Sequence, residues 1–78
     1  MALLLVREVQ TRAQAALCSS PLYELRDVLV EPRDDGLMLS GGVSSFYHKQ
    51  LAQEVVRSVS ASIALVNSIH VRAHEDER

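Results

Sequence analysis

Hydrophobic and polar residues vary along this chain with two different periods, and each period predicts one kind of secondary structure. From Ala2 to Cys18 the apolar residues recur at the spacing of a helix face, which predicts an amphipathic helix. Its apolar stripe consists of Ala2, Leu5, Val6, Val9, Ala13, Ala16 and Leu17. The helix should end at Ser19–Pro21, because proline lacks an N–H group and restricts the residue before it.

Two shorter segments alternate with a period of two, which is typical of β-strands. The first runs from Leu25 to Pro32 and the second from Leu37 to Val43. The turn Arg33–Gly36 joins them, and Gly36 is expected to supply a positive φ. The pairs expected to face each other across this hairpin are Val30 with Leu39 and Val28 with Gly41.

The helical period returns from Phe46 to about Ser60. Ser44 and Ser45 precede this second helix, and either residue could supply its N-cap. The apolar stripe of the second helix consists of Tyr47, His48, Leu51, Ala52, Val55 and Val59.

A third segment with a period of two, Leu65–Arg72, predicts the last strand. Asn67 should face the core there, where its amide would bind neighbouring backbone groups. The stretch Ser60–Ser62 is predicted to be a loose connection, and the charged residues 73–78 are predicted to be a fraying tail.

The predicted order of elements is α-β-β-α-β, which is typical of an α+β two-layer sandwich. Each helix has one apolar stripe, so both helices should cover one face of a three-stranded mixed sheet. A chain of 78 residues has room for one domain, whose ordered core should span about residues 2–72. A domain of this size has little interior to spare for a deep active site.

The composition excludes several classes of protein. Eight Lys and Arg against ten Asp and Glu give a net charge of −2, whereas nucleic-acid binders usually carry a basic face, so no nucleic-acid partner is expected. The one cysteine, Cys18, excludes an internal disulfide and a cysteine zinc site. The apolar start Met1–Val6 is too short for a signal peptide or a membrane span, which predicts a cytoplasmic location unless the chain is a piece of an envelope protein.

No pattern of reactive side chains predicts an enzyme. The glycine motifs of phosphate-binding and dinucleotide-binding loops are absent. His70 and His74 are four residues apart, which on a strand is too far for them to share a metal ion. Ser44, His48 and Glu54 have nothing to orient them as a catalytic triad. We therefore expect a non-enzymatic protein without a metal or a cofactor.

Two segments carry a pattern of glycine, serine and asparagine that points to a family. They are Asp34-Asp35-Gly36-Leu37-Met38-Leu39-Ser40-Gly41-Gly42-Val43 and Leu65-Val66-Asn67-Ser68-Ile69-His70-Val71, with Leu51-Ala52 and Val55 in the helix between them. In this order and spacing they resemble the BON domain, a family named for bacterial osmotically induced and nodulation proteins. The run Ser45–Gln53 is similar to a variant found in planctomycete-type proteins. The resemblance implies a small non-catalytic module that binds phospholipid or an envelope surface.

The junction between the second strand and the second helix is a candidate site for a lipid headgroup. Backbone N–H groups at a helix N-terminus can hold a phosphate, and aromatic rings beside a lysine suit a membrane interface. The candidate residues are Ser40, Gly41, Gly42, Ser44, Ser45, Phe46, Tyr47 and Lys49. The same residues also fit a structural interpretation, in which Gly41 lets the second helix pack close, Ser44 or Ser45 caps that helix, and Phe46 or Tyr47 packs across its start.

The sheet face that the helices leave uncovered is a second candidate surface. The apolar residues expected on it are Leu29, Met38 and Val66. Such a patch could receive a second copy of the chain or a larger protein. The leading hypothesis is thus phospholipid or envelope-surface binding, and the alternative is protein interaction or self-association through this face. An RNA-binding module of K-homology type is a remote alternative, because the Gly-x-x-Gly loop of that fold is absent.

Overall fold

The chain folds in the predicted order, with two helices against a three-stranded mixed sheet. The computed structural model describes residues 2–34, 36–60 and 63–72, with side chains from residue 5 onward. The helices and strands are α1 (Ala2–Cys18), β1 (Leu29–Arg33), β2 (Gly36–Ser40), β3 (Gly42–Val43), α2 (Phe46–Ser60), β4 (Ala64–Asn67) and β5 (His70–Val71), with a 3-10 helix at Tyr23–Asp27. Of the connection predicted at Ser60–Ser62, Ser60 is the last residue of α2 and residues 61–62 lie outside the described residues, as does the tail predicted at 73–78.

Strand β2 is the centre of the sheet. It pairs antiparallel with β1, where Val30 lies opposite Leu39 as predicted. On its other side it pairs parallel with β4, so the strand order is β1-β2-β4. Helix α2 makes the crossover between these two parallel strands, which confirms the predicted mixed sheet.

The strand predicted from Leu37 to Val43 is interrupted at Gly41. Gly41 has a φ of +122°, a conformation that residues with a side chain rarely adopt. A Cβ atom there would also lie 3.3 Å from the carbonyl oxygen of Asp27. The chain therefore changes direction at Gly41, and β3 pairs with β5 in a separate two-stranded parallel sheet. The predicted last strand is divided in the same way, into β4 and β5.

The turn of the hairpin also differs from its prediction. Asp34 has a positive φ of 54°, and Gly36 is instead the first residue of β2. Gly36 is needed there for a different reason, because a Cβ atom would lie 2.7 Å from the carbonyl oxygen of Ala64 on β4. The glycine thus permits the close approach of two strands and does not shape the turn.

The first strand begins later than predicted, because Tyr23–Asp27 forms a 3-10 helix. The N–H group of Leu25 donates to the carbonyl of Leu22 at 2.9 Å, and that of Val28 donates to the carbonyl of Leu25 at 3.2 Å. This compact turn buries Leu25 in the core. It also brings Glu24 beside the start of α2, where the candidate site lies.

The core fills the space between the helices and one face of the sheet. Its members are Val6, Val9, Ala13, Leu17, Leu25, Val28, Val30, Leu37, Leu39, Val43, Ala52, Val56 and Ile69. Two expectations for α2 are wrong, because Val56 is buried although it was not placed on the stripe, and Tyr47 is exposed. The buried line of α2 runs through Ala52 and Val56, and Tyr47 precedes Ala52 by five residues. At 100° per residue that spacing turns Tyr47 about 140° away from Ala52.

Two glutamines of α1 bind the backbone at the start of β1. Gln14 donates to the carbonyl of Val28 at 2.8 Å and accepts from the N–H of Val30 at 2.9 Å. Gln10 donates to the carbonyl of Val30 at 2.8 Å. Because β1 is an edge strand, these amides occupy backbone groups that a neighbouring strand would otherwise take.

Candidate functional site

The first turn of α2 is the centre of the candidate site. Ser45 is its N-cap, since its hydroxyl accepts a hydrogen bond from the N–H group of His48 at 3.2 Å. Ser44 precedes this cap, and its own N–H group donates to Oε1 of Glu24 at 2.9 Å. The helix cap is therefore Ser45. The N–H group of Ser44, the residue before it, is bound by the carboxylate of Glu24 from a distant segment.

Glu24 belongs to this candidate site, although the sequence pattern did not predict it. Its side chain is only 15% exposed, and its Oε1 lies 3.1 Å from Nδ1 of His48. The pKa of Glu24 is below its usual value, chiefly because the Ser44 N–H binds the carboxylate, while His48 and Arg72 lower it further. Burial acts in the opposite direction. A negative charge thus already occupies the position where a headgroup phosphate was expected.

One signal in the sequence could have indicated such a partner. The first turn of α2 contains no acidic residue, so its unpaired N–H groups and the positive end of its dipole need an anion from elsewhere. Glu24 supplies it from 20 positions earlier in the chain. A periodic pattern does not indicate a contact over that separation.

The three polar groups at this helix start do not form a catalytic triad. Oγ of Ser45 and Oε1 of Glu24 both lie 3.1 Å from the same ring nitrogen of His48, Nδ1. A triad needs the nucleophile on one nitrogen and the orienting carboxylate on the other. Ser45 is moreover held as the helix cap. Within the described ranges, no group of three or more His, Cys, Asp and Glu side chains could hold a metal ion.

The aromatic residues of the chain lie around this polar cluster and are exposed. Tyr23, Phe46 and Tyr47 expose 70%, 72% and 67% of their surface. Leu22 and Tyr23 line a cleft of about 290 Å³ together with Glu24, Ser44 and His48, and the rings of Tyr47 and His48 are 5.7 Å apart. We call the residues Leu22, Tyr23, Phe46 and Tyr47 the aromatic corner. Because Phe46 and Tyr47 point into solvent, the expectation that one of them packs across the helix start is wrong.

Three other residues of the predicted headgroup site, Ser40, Gly42 and Lys49, make contacts within the fold. Ser40 pairs with Leu29 at the end of β2. Gly42 lies under the guanidinium of Arg72, whose Nη1 would be 2.5 Å from a Cβ atom at that position. Lys49 is half-buried, and its carbonyl accepts from Nδ2 of Asn67 at 3.3 Å. The structure therefore brings Ser44, Ser45, Phe46 and Tyr47 together with Glu24, and it does not gather all eight predicted residues around one cavity.

Asn67 has the role that its position predicts. Its Oδ1 accepts from the N–H group of Ile69 at 3.1 Å, and its Nδ2 donates to Gln53 at 3.0 Å as well as to Lys49. The side chain thus ties the end of β4 to helix α2.

The uncovered sheet face carries the three apolar residues that were predicted for it. Leu29 and Val66 are 53% and 56% exposed, and Met38 is half-buried between their strands. Met38 lies opposite Glu31 on one side and Val66 on the other. Its sulfur is 2.9 Å from Nη1 of Arg33, so the guanidinium covers part of it. We call Leu29, Met38 and Val66 the open-face patch.

Comparison with known proteins identifies no relative. No protein-family model, no curated protein and no solved structure matches the chain. Among the described residues, no helix has both the length and the apolar character needed to cross a bilayer.

Proposed function

We propose that this chain is a non-catalytic binding module that attaches to a phospholipid surface through the aromatic corner. The observation that carries the proposal is that all three aromatic residues of the chain are largely exposed and lie around one helix start. Aromatic side chains usually bury most of their area in a core or an interface. Amphipathic rings also suit the headgroup level of a membrane. The resemblance to the BON domain supports the same class of ligand.

The electrostatics of the site predict which lipid it prefers. Glu24 occupies the Ser44 N–H group, so a lipid phosphate would have to displace a bound carboxylate. The chain also has a net charge of −2 and no general attraction to anionic lipid. Attachment should therefore depend on burial of the rings and be at least as strong on neutral as on anionic membranes.

The expected attachment is weak and reversible. Partial insertion of each ring and of Leu22 contributes on the order of 1 kcal/mol, at ~25 cal/mol per Å² of apolar surface removed from water. Four such contributions correspond to a dissociation constant of roughly 1 mM in accessible lipid. Loss of Phe46 and Tyr47 together should weaken binding by about 30-fold.

Co-sedimentation with vesicles tests the proposal. The protein should pellet with phosphatidylcholine vesicles, and added phosphatidylserine should not increase the bound fraction. The double variant Phe46→Ser/Tyr47→Ser should remain in the supernatant. Leu29→Ser is the matched control, since it removes a similarly exposed apolar residue from the open-face patch. Absence of binding to both vesicle types, or equal binding by the double variant, would contradict the proposal.

The open-face patch supports a second candidate function, which is association with another protein or with a second copy through the sheet face. Leu29 and Val66 are each more than half exposed although both are large and apolar. Two such faces stacked together would bury both residues and Met38. Sedimentation velocity of wild type, Leu29→Lys and Met38→Glu tests it, because a stacked dimer should dissociate in both variants. Identical sedimentation of all three proteins as monomers would count against self-association through this face.

A further inference from the structure

The two edge strands of the sheet, β1 and β4, differ in whether side chains of the described residues bind their outward backbone groups. At the β1 edge, Gln10 and Gln14 occupy the outward backbone groups of Val28 and Val30. Pro32, two residues after Val30 on the same outward side, has no N–H group to offer a further strand. The β1 edge is thus closed to any further strand along most of its length.

The β4 edge has no such protection within the described part of the chain. The N–H group of Ser68 donates to the carbonyl of Leu39, so the backbone groups of Ser68 and Val66 face β2. By alternation, the N–H and carbonyl groups of Leu65 and Asn67 face outward, where the sheet has no further strand. The segment Ile63–Ile69 contains no charged residue and no proline, which are the usual means of blocking an edge.

We infer that a second copy of this chain pairs with the β4 edge, antiparallel and across a twofold axis at Val66. In that register, Leu65 of each copy lies opposite Asn67 of the other and exchanges two hydrogen bonds with it, so both copies satisfy the same four outward groups. Val66 lies opposite its own counterpart in a non-hydrogen-bonded pair, where side chains are closest. The segment has no charge, so this pairing opposes no like charges although each copy has a net charge of −2.

The inferred dimer extends the open-face patch. The two Val66 side chains lie next to each other, and each has Met38 on its other side in β2. The apolar row therefore runs across four strands, β2 and β4 of each copy, without any stacking of sheet faces. A four-residue edge buries less than the ~800 Å² per partner of a standard interface, so the dimer should be weak, with a dissociation constant of ~10–1,000 µM.

Sedimentation velocity of the full chain from ~10 µM to ~1 mM tests this inference independently of the membrane proposal. The average mass of the wild type should rise with concentration toward twice the monomer mass. Val66→Lys, which places two cations side by side across the axis, should raise the dissociation constant at least about tenfold. Leu29→Lys is the matched control, since it adds the same charge at an equally exposed site on β1 and should leave the dimer intact. Circular dichroism should show that both variants are folded.

Two results would overturn the inference. One is a monomer mass for the wild type up to ~1 mM. The other is equal loss of the dimer in Leu29→Lys and Val66→Lys, because that result indicates stacked sheet faces and excludes a paired edge.

Discussion

Replacing Glu24 with glutamine should destabilise the fold at neutral pH by about 1 kcal/mol and have little effect near pH 3. Glutamine keeps the shape of the side chain and a neutral oxygen that can still accept from Ser44. The loss is therefore the difference between a hydrogen bond to an ionised acceptor, about 1.5–3 kcal/mol, and one to a neutral acceptor, about 0.5–1.5 kcal/mol. The contact with His48 adds less than ~1 kcal/mol, because both side chains are partly exposed.

The pH dependence follows from the lowered pKa of Glu24. A carboxyl group whose pKa is lower in the folded state stabilises the fold fully above the ordinary pKa that it has in the unfolded chain. That stabilisation is lost as the pH falls through the lower folded pKa. The difference between wild type and Glu24→Gln should thus be constant near neutrality and disappear in acid.

Urea denaturation at pH 7 and pH 3 measures the loss of stability in Glu24→Gln at neutral pH and its disappearance in acid. Near neutral pH the melting temperature should also fall by about 4–8 °C, the shift that ~1 kcal/mol causes in a small domain. Glu54→Gln is the matched control, because Glu54 is exposed and its carboxylate accepts a long hydrogen bond of 3.5 Å from Gln50. Equal stability of Glu24→Gln and wild type at pH 7, or a loss in Glu54→Gln of the same size, would refute the reasoning.

Three further substitutions test the fold by the same denaturation measurement. Ser60→Ala should stabilise the protein by about 1 kcal/mol, because the buried hydroxyl has no hydrogen-bond partner in the described structure, and unchanged stability would mean that it has one. Gly41→Ala should destabilise it by about 1–3 kcal/mol, because alanine is strained at a φ of +122°, and a neutral result would contradict that backbone geometry. Gln14→Ala should lower the free energy of unfolding by about 1–2 kcal/mol, because it removes two hydrogen bonds to the backbone of Val28 and Val30. A loss no larger than that of Gln50→Ala, on the exposed side of α2, would show that these two hydrogen bonds do not stabilise the sheet edge.

The sequence predicts the helices well because their signals are local. The bounds Ala2–Cys18 and Phe46–Ser60 agree with the structure, since each helix has a regular apolar stripe and a neighbouring proline or serine. The Val30–Leu39 pair is also confirmed, because two alternating segments joined by a short turn have few possible registers.

The errors occur where a contact with a distant segment decides the local conformation. Gly41 breaks its strand at the point where the backbone of Asp27 approaches it, and alternation of residue types does not indicate that approach. Glu24 was not predicted for the same reason, because its partner Ser44 is 20 residues away. Tyr47 was placed on the buried stripe by its apolar ring, although the line through Ala52 and Val56 turns it toward solvent.

Backbone NMR with small phosphatidylcholine bicelles tests the central claim most directly, because it detects lipid contact and locates it on the chain. Membrane attachment through the aromatic corner predicts that shift changes and line broadening concentrate at Leu22–Glu24 and Ser44–Tyr47. Amides of β1, β2 and β4 should change little. Shifts concentrated around the open-face patch, or no shifts at saturating lipid, would contradict the proposed function.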